Sequence, residues 1–216
     1  MTMELKNYTH IIWDWNGTLL DDAWLCVDVM NGMLKERNLP LRTLAQYQEL
    51  FDFPVRDYYI KLGFDFDKEP FDEVGMEFIR RYNLRHFETA LHPEVMDVLA
   101  TIALKGLSQH ILSAREQYEL IAETRKLGVF SYFVHIRGLD DHYAHGKTEI
   151  GLLLVKEIGV PKNKMLFVGD TRHDAEVAAG IGIDCILVPN GHHSEQRLLQ
   201  LGVPLIPSLK YLIELL

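Results

Sequence analysis

Apolar and polar positions along the chain follow two alternating rhythms. His10 to Trp13 is a short unbroken apolar run ending at Asp14, the pattern of a strand buried on both faces. From Asp21 to Asn38 the apolar residues Trp24, Val27, Met30 and Leu34 recur at helical spacing. Asp21 or Asp22 is the expected N-cap, and Leu39-Pro40 stops the helix. From about Thr43 to Glu88 the chain continues as short helical segments broken at Phe53-Pro54, Gly63 and Pro70, with no strand pattern among them.

After His92-Pro93 the pattern changes. A helix to Lys105, with Pro93 in its first turn, carries Val95, Val98, Leu99 and Ile102 on one face. Strands are predicted at 109–112, 132–137, 164–168 and 184–188, and helices at 116–127, 147–158, 173–181 and 194–201. A final Pro204-Leu-Ile and a Leu-rich helix from Ser208 follow. Apolar strands alternating with helices call for an α/β fold, a doubly wound parallel sheet. The helical block after the first strand reads as an inserted α-helical cap domain. The expected division is a core of residues 1–20 and 89–216 around a cap of residues 21–88.

Composition narrows the function more than the fold. The 216 residues are 48% hydrophobic and 25% charged, ordinary globular values, and a chain of this length can bury a core without disulfides. Cys26 and Cys185 lie far apart without metal-ligand spacing, so both are expected to be reduced core residues. A net charge of −9 argues against a general nucleic-acid or anionic-membrane surface. No apolar run approaches the roughly 20 residues a membrane helix needs. No signal peptide is visible, so the cytoplasm is the expected compartment.

In doubly wound sheets, ligands bind beyond the carboxyl ends of the strands, so the residues just past each strand matter most. Asp14-Trp-Asn-Gly-Thr-Leu follows the first strand and Ser113-Ala114 the second. Lys147 opens the helix after the third, and Gly169-Asp170-Thr-Arg-His-Asp174 follows the fourth. One chemistry uses all four. A carboxylate such as Asp14 can attack phosphorus and split one difficult displacement into two. Two anions approach only with a cation between them, and Mg²⁺ prefers the oxygen ligands that Asp14, Asp170 and Asp174 offer. Lys147 adds positive charge against the phosphoryl oxygens, while Thr18, Ser113 and the backbone N–H groups of the Gly17 turn offer hydrogen bonds.

On these motifs the sequence closely resembles the haloacid dehalogenase-like hydrolase superfamily, within it the phosphoglycolate phosphatase and β-phosphoglucomutase branch with a helical cap. The resemblance runs from about Tyr8 to the end. It implies a Mg²⁺-dependent phosphatase of a small phosphorylated metabolite, acting through an aspartyl-phosphate on Asp14, with no nucleic-acid or membrane partner, as a monomer or homodimer. It further implies that Asp14, Asp170, Asp174 and the backbone carbonyl of Asn16 hold the metal. Gly17, Thr18, Ser113, Ala114 and Lys147 would hold the phosphoryl group. Arg56 falls about where related caps place a substrate-facing basic residue.

Two residues depart from the family pattern. Gly146-Lys147-Thr148 stands in place of the usual Lys-Pro. More consequentially, Asn16 occupies the position of the aspartate that protonates the leaving group and then activates water. An amide cannot shuttle that proton, and such help is worth roughly 10²–10⁴-fold. Three outcomes stay open: slow hydrolysis or phosphotransfer, substitution by His173, His192, His193 or a cap residue, or a catalytically impaired relative that binds phosphoryl ligands or a partner protein. Retention of Asp14, Lys147, Asp170 and Asp174 favours the enzyme. A receiver domain is disfavoured by the helical insert, and a Rossmann dehydrogenase by the lack of GxGxxG.

Overall fold

The computed structural model describes residues 7–139 and 146–215. Five parallel strands form the core: β1 (His10–Trp13), β4 (Ser108–Glu116), β5 (His135–Leu139), β6 (Met165–Gly169) and β7 (Asp184–Leu187). Their spatial order is β5-β4-β1-β6-β7. β1 is therefore central, and the chain leaves it toward β4 and β5 on one side before returning to β6 and β7 on the other. That reversal places the ligand crevice at the carboxyl end of β1.

Period-two alternation decides which helices cover which face. Ile11 and Trp13 of β1, with Leu166 and Val168 of β6, pack into one cluster with α5 (Val95–Leu104) and α10 (Leu209–Leu215). Ile12, with Met165 and Phe167, points the other way into a second cluster with α7 (Lys147–Ile158) and α8 (Arg172–Ile181). Two short helices, α6 (Gln117–Lys126) and α9 (Glu195–Leu199), complete the core.

The segment between Asp21 and Ala90 is helical. It comprises α1 (Ala23–Glu36), α2 (Leu44–Leu50), α3 (Val55–Leu62) and α4 (Phe71–Arg85) around a separate core of Met30, Met33, Leu34, Tyr58, Tyr59 and Val74, among others. It is joined to the sheet domain by an antiparallel ribbon of two two-residue strands, β2 (Leu20–Asp21) and β3 (Ala90–Leu91). Two residues are too few for periodicity to register, so the ribbon had no sequence signature.

Boundaries elsewhere shift modestly. β5 begins at His135 rather than Tyr132, because residues 130–132 form a 3-10 turn. The helix expected from Pro93 begins at Val95. β4 continues past Leu112 to Glu116, and its pairing with β5 is irregular between those residues.

Candidate active site

Two tryptophans set the geometry of the first motif. Trp13 and Trp15 are fully buried; their indole N–H groups donate to Gln109 (3.2 Å) and Glu123 (3.0 Å). With both rings anchored in the core, the intervening Asp14 and the following Asn16 face the crevice. The Asp14 backbone N–H donates to the Val168 carbonyl at 2.9 Å, so β1 stays paired until the carboxylate itself. Gly17 then turns with φ of +79°; a Cβ there would lie 2.4 Å from Asp170 Oδ2, so only glycine fits.

Three carboxylates converge here. Asp14, Asp170 and Asp174 are all buried, and their oxygens lie within 4.8 Å of one another. Lys147, the first residue of α7, inserts its ammonium between Asp14 Oδ1 (2.5 Å) and Asp174 Oδ1 (2.7 Å). The usual proline after the lysine is thus not needed to aim it. Thr171 and Asp174 form a reciprocal capping box at the start of α8, which fixes Asp174 Oδ2 on backbone and hydroxyl donors and leaves Oδ1 to the lysine. Thr18 Oγ1 donates to Asp170 Oδ1 (2.8 Å), with Asp14 Oδ2 at 3.3 Å also in reach.

Burial pushes the Asp14 carboxyl up to about 8; Lys147 opposes the rise, while Asp174 and Asp170 add to it. Burial likewise raises Asp170 to about 6. Asp174 is held low, since Lys147 and the capping hydrogen bonds outweigh its burial. Lys147 is driven up by the two carboxylates despite being buried. Three crowded oxygen donors with one ammonium between them make a site short of positive charge. Such a set of hard oxygens fits a Mg²⁺ ion.

Asn16 reveals a second cluster. Its amide donates to Asp22 Oδ2 (2.8 Å) and to the Tyr82 hydroxyl (3.2 Å). Asp22 also accepts from the Gly17 N–H (2.9 Å) and the Tyr82 hydroxyl (2.8 Å), and His192 Nε2 lies 3.3 Å away. Asp22 occupies the N-cap position of α1, as expected, yet makes no side-chain cap. Its carboxylate turns back to pin the first motif. Burial would raise Asp22, but His192 and the Asn16 and Tyr82 hydrogen bonds prevail and hold it low. Burial would lower His192, but Asp22 chiefly raises it to about 9. The other nitrogen of His192 shares a hydrogen bond with Tyr47 of the cap (2.8 Å), and its backbone N–H donates to Asp170 (2.7 Å).

Asp14, Asn16, Ser113, Ala114, Lys147 and Asp174 face one cavity of about 860 Å³ between core and cap, joined by Arg56, His173 and His192. Gly17, Thr18 and Asp170 lie behind this lining. Ser113 is buried, and its hydroxyl accepts from the Arg115 N–H at 3.0 Å. Arg56 is exposed at the cap side, with its guanidinium over the Phe66 ring. His173 stacks on Phe53, whereas His193 accepts from the Arg172 N–H. Asp22 and Tyr82 are the site residues that sequence reasoning missed. An aspartate before a helix reads as a cap, and Tyr82 as one more aromatic of the cap.

The arrangement agrees with comparisons to known proteins. The Haloacid dehalogenase-like hydrolase family profile matches residues 11–188. The chain is 26% identical over 195 residues to a phosphoglycolate phosphatase of Pseudomonas savastanoi, covering 85% of this chain and 70% of that one. It is 26% identical over 178 residues to the phosphoglycolate phosphatase of Xanthomonas campestris, covering 82% and 80%. Its fold is similar to that of a haloacid dehalogenase-like family hydrolase from Streptococcus pneumoniae (TM-score 0.83, 17% identity, 97% and 98% covered). The chain belongs to the haloacid dehalogenase-like hydrolase family and is an enzyme of that class.

Proposed function

We propose that this enzyme is a Mg²⁺-dependent phosphomonoester hydrolase that works through an aspartyl-phosphate on Asp14. The observation that carries this reading is the Lys147 ammonium lodged between Asp14 and Asp174, inside a buried carboxylate cluster that opens onto a cavity. The similarity to phosphatases of phosphorylated metabolites supports the same substrate class.

In the first half of the reaction an Asp14 oxygen attacks phosphorus, the ester P–O bond breaks and the leaving oxygen takes a proton from solvent to depart as the alcohol. In the second, water attacks phosphorus and the bond between phosphorus and the Asp14 oxygen breaks. Inorganic phosphate leaves, the water's proton passes to solvent and the carboxylate is regenerated. Asp14, Asp170, Asp174 and the Asn16 carbonyl would hold Mg²⁺, which neutralises phosphoryl charge when bound. Lys147 orients Asp14 and favours its ionised form against the effect of burial, and Ser113 and Ala114 flank the position of the phosphoryl group. The cap excludes water while the first half proceeds. Asn16, held by Asp22 and Tyr82, orients the loop but supplies no proton, so neither departure of the leaving group nor attack by water has acid–base help from this position.

The test is turnover of a phosphomonoester panel with Mg²⁺ by the wild-type chain and by Asp14→Asn. Activity in the wild type that Asp14→Asn lowers at least about 10³-fold is expected for loss of a covalent nucleophile. Equal activity in the two proteins would overturn the proposal.

A further inference from the structure

The cavity beside Asp14 has a composition that a small acidic substrate does not explain. Its volume of about 860 Å³ lies near the upper end of the range for pockets that enclose drug-sized ligands. A phosphorylated two-carbon acid would leave most of it to water. The cap wall is formed by Phe51, Phe53, Phe71, Met76, Phe78 and Ile79, all half-buried side chains that keep apolar surface uncovered. Leaving that much apolar surface wet is unfavourable at about 25 cal/mol per Å², which an apolar ligand removes.

Charge points the same way. Besides Lys147, the cations lining the cavity among the described residues are Arg56, Arg115 and His192, the last held 3.3 Å from Asp22. Arg115 is occupied: its guanidinium donates to Glu123 (2.8 and 3.1 Å) and Asn83 (2.8 Å) and lies over the Tyr82 ring. Arg56 lies over Phe66. Against them stand the carboxylates of Asp57, Asp72, Glu116 and Glu176. A second anionic group on the substrate, beyond the phosphoryl group, would meet these four carboxylates, with Arg56 the one lining cation that has no carboxylate partner among the described residues.

Building on the phosphatase reading, we infer that the substrate is a phosphate monoester whose leaving group is bulky, aromatic or otherwise apolar, and not anionic. The phosphoryl end sits at Asp14 and Lys147, while the leaving group fills the space against α4 and the segment from Phe51 to Pro54. Selectivity then comes from apolar burial in the cap, with the acidic rim rejecting carboxylated or doubly phosphorylated competitors.

The experiment compares esters with similar alkoxide leaving groups: benzyl phosphate, ethyl phosphate, 2-phosphoglycolate and 4-carboxybenzyl phosphate, each with the full chain and Mg²⁺. Burial of the phenyl ring predicts kcat/KM for benzyl phosphate about 50-fold above ethyl phosphate. The added carboxylate should cancel most of that gain, and phosphoglycolate should rank with or below ethyl phosphate. Phe78→Ala should lower the ratio of benzyl to ethyl phosphate turnover about tenfold. Ile79→Ala, one position along, provides the same comparison if Phe78→Ala does not fold. Hydrolysis of phosphoglycolate or ethyl phosphate at least as efficient as that of benzyl phosphate would overturn the inference while the phosphatase reading stands. Turnover of none of these esters, nor of 4-nitrophenyl phosphate, would overturn the phosphatase reading and this inference with it.

Discussion

At the scale of single residues, the amide at position 16 and the carboxylate at position 22 form one unit. Asn16 donates to Asp22 at 2.8 Å within a pocket where Asp22 is 1% exposed. Asn16→Asp would replace that donor with a second carboxylate and leave a half-buried anion in contact with the buried Asp22. The expected cost is about 2–4 kcal/mol of stability. Adding Asp22→Asn restores one carboxylate and one amide across the same contact, so the double variant should recover at least about 1 kcal/mol relative to the sum of the single changes. Chemical denaturation of the four proteins measures this coupling, and strictly additive losses would contradict it. The pairing also explains why an aspartate is not simply missing from position 16: negative charge is present one hydrogen bond away, committed to Gly17, Tyr82 and His192.

At the scale of elements, the sheet treats its two ends differently. The carboxyl ends gather the four motifs, whereas toward the opposite end three adjacent strands stack His10, His110 and His135, with ring centroids 5.3 and 5.2 Å apart. Burial, reinforced by the two flanking rings, pushes His110 down to about 3 from its usual 6.5. The unfolded chain therefore takes up a proton below about pH 6.5 that the folded chain refuses until about pH 3. Stability contributed by neutral His110 is complete above 6.5 and falls with pH across that window, by at most about 1.4 kcal/mol per pH unit. His110→Leu should flatten this part of the stability profile in urea titrations between pH 4 and 7; an unchanged slope would contradict it. These elements also show what a sequence can disclose. Asp14, Lys147, Asp170 and Asp174 were legible because each sits beside a local pattern, an apolar run that ends or a helix that begins. Asp22 was not, because its partner Tyr82 is 60 residues away and only the docked cap brings them together. The histidine stack was equally hidden, since it depends on the spatial order of β1, β4 and β5.

At the scale of the whole molecule, catalytic core and cap meet around the carboxylate cluster and are fastened on both sides. The ribbon of β2 and β3 forms one attachment. On the other side, Arg197 of α9 donates to the carbonyls of Gln48 and Phe51 at the end of α2 and to Asp52. Tyr47 of α2 reaches His192, whose backbone holds Asp170. A continuous chain of contacts thus runs from α2 through His192 to Asp170 of the carboxylate cluster. The cap's apolar surface and the core's charge complete one cavity, each supplying what the other lacks. The central claim remains the covalent role of Asp14, and rapid acid quenching during turnover with Mg²⁺, followed by reductive trapping and peptide mass spectrometry, tests it most directly. The label is predicted on Asp14 alone. Full turnover with no modification at Asp14, or with the label on another residue, would contradict the account.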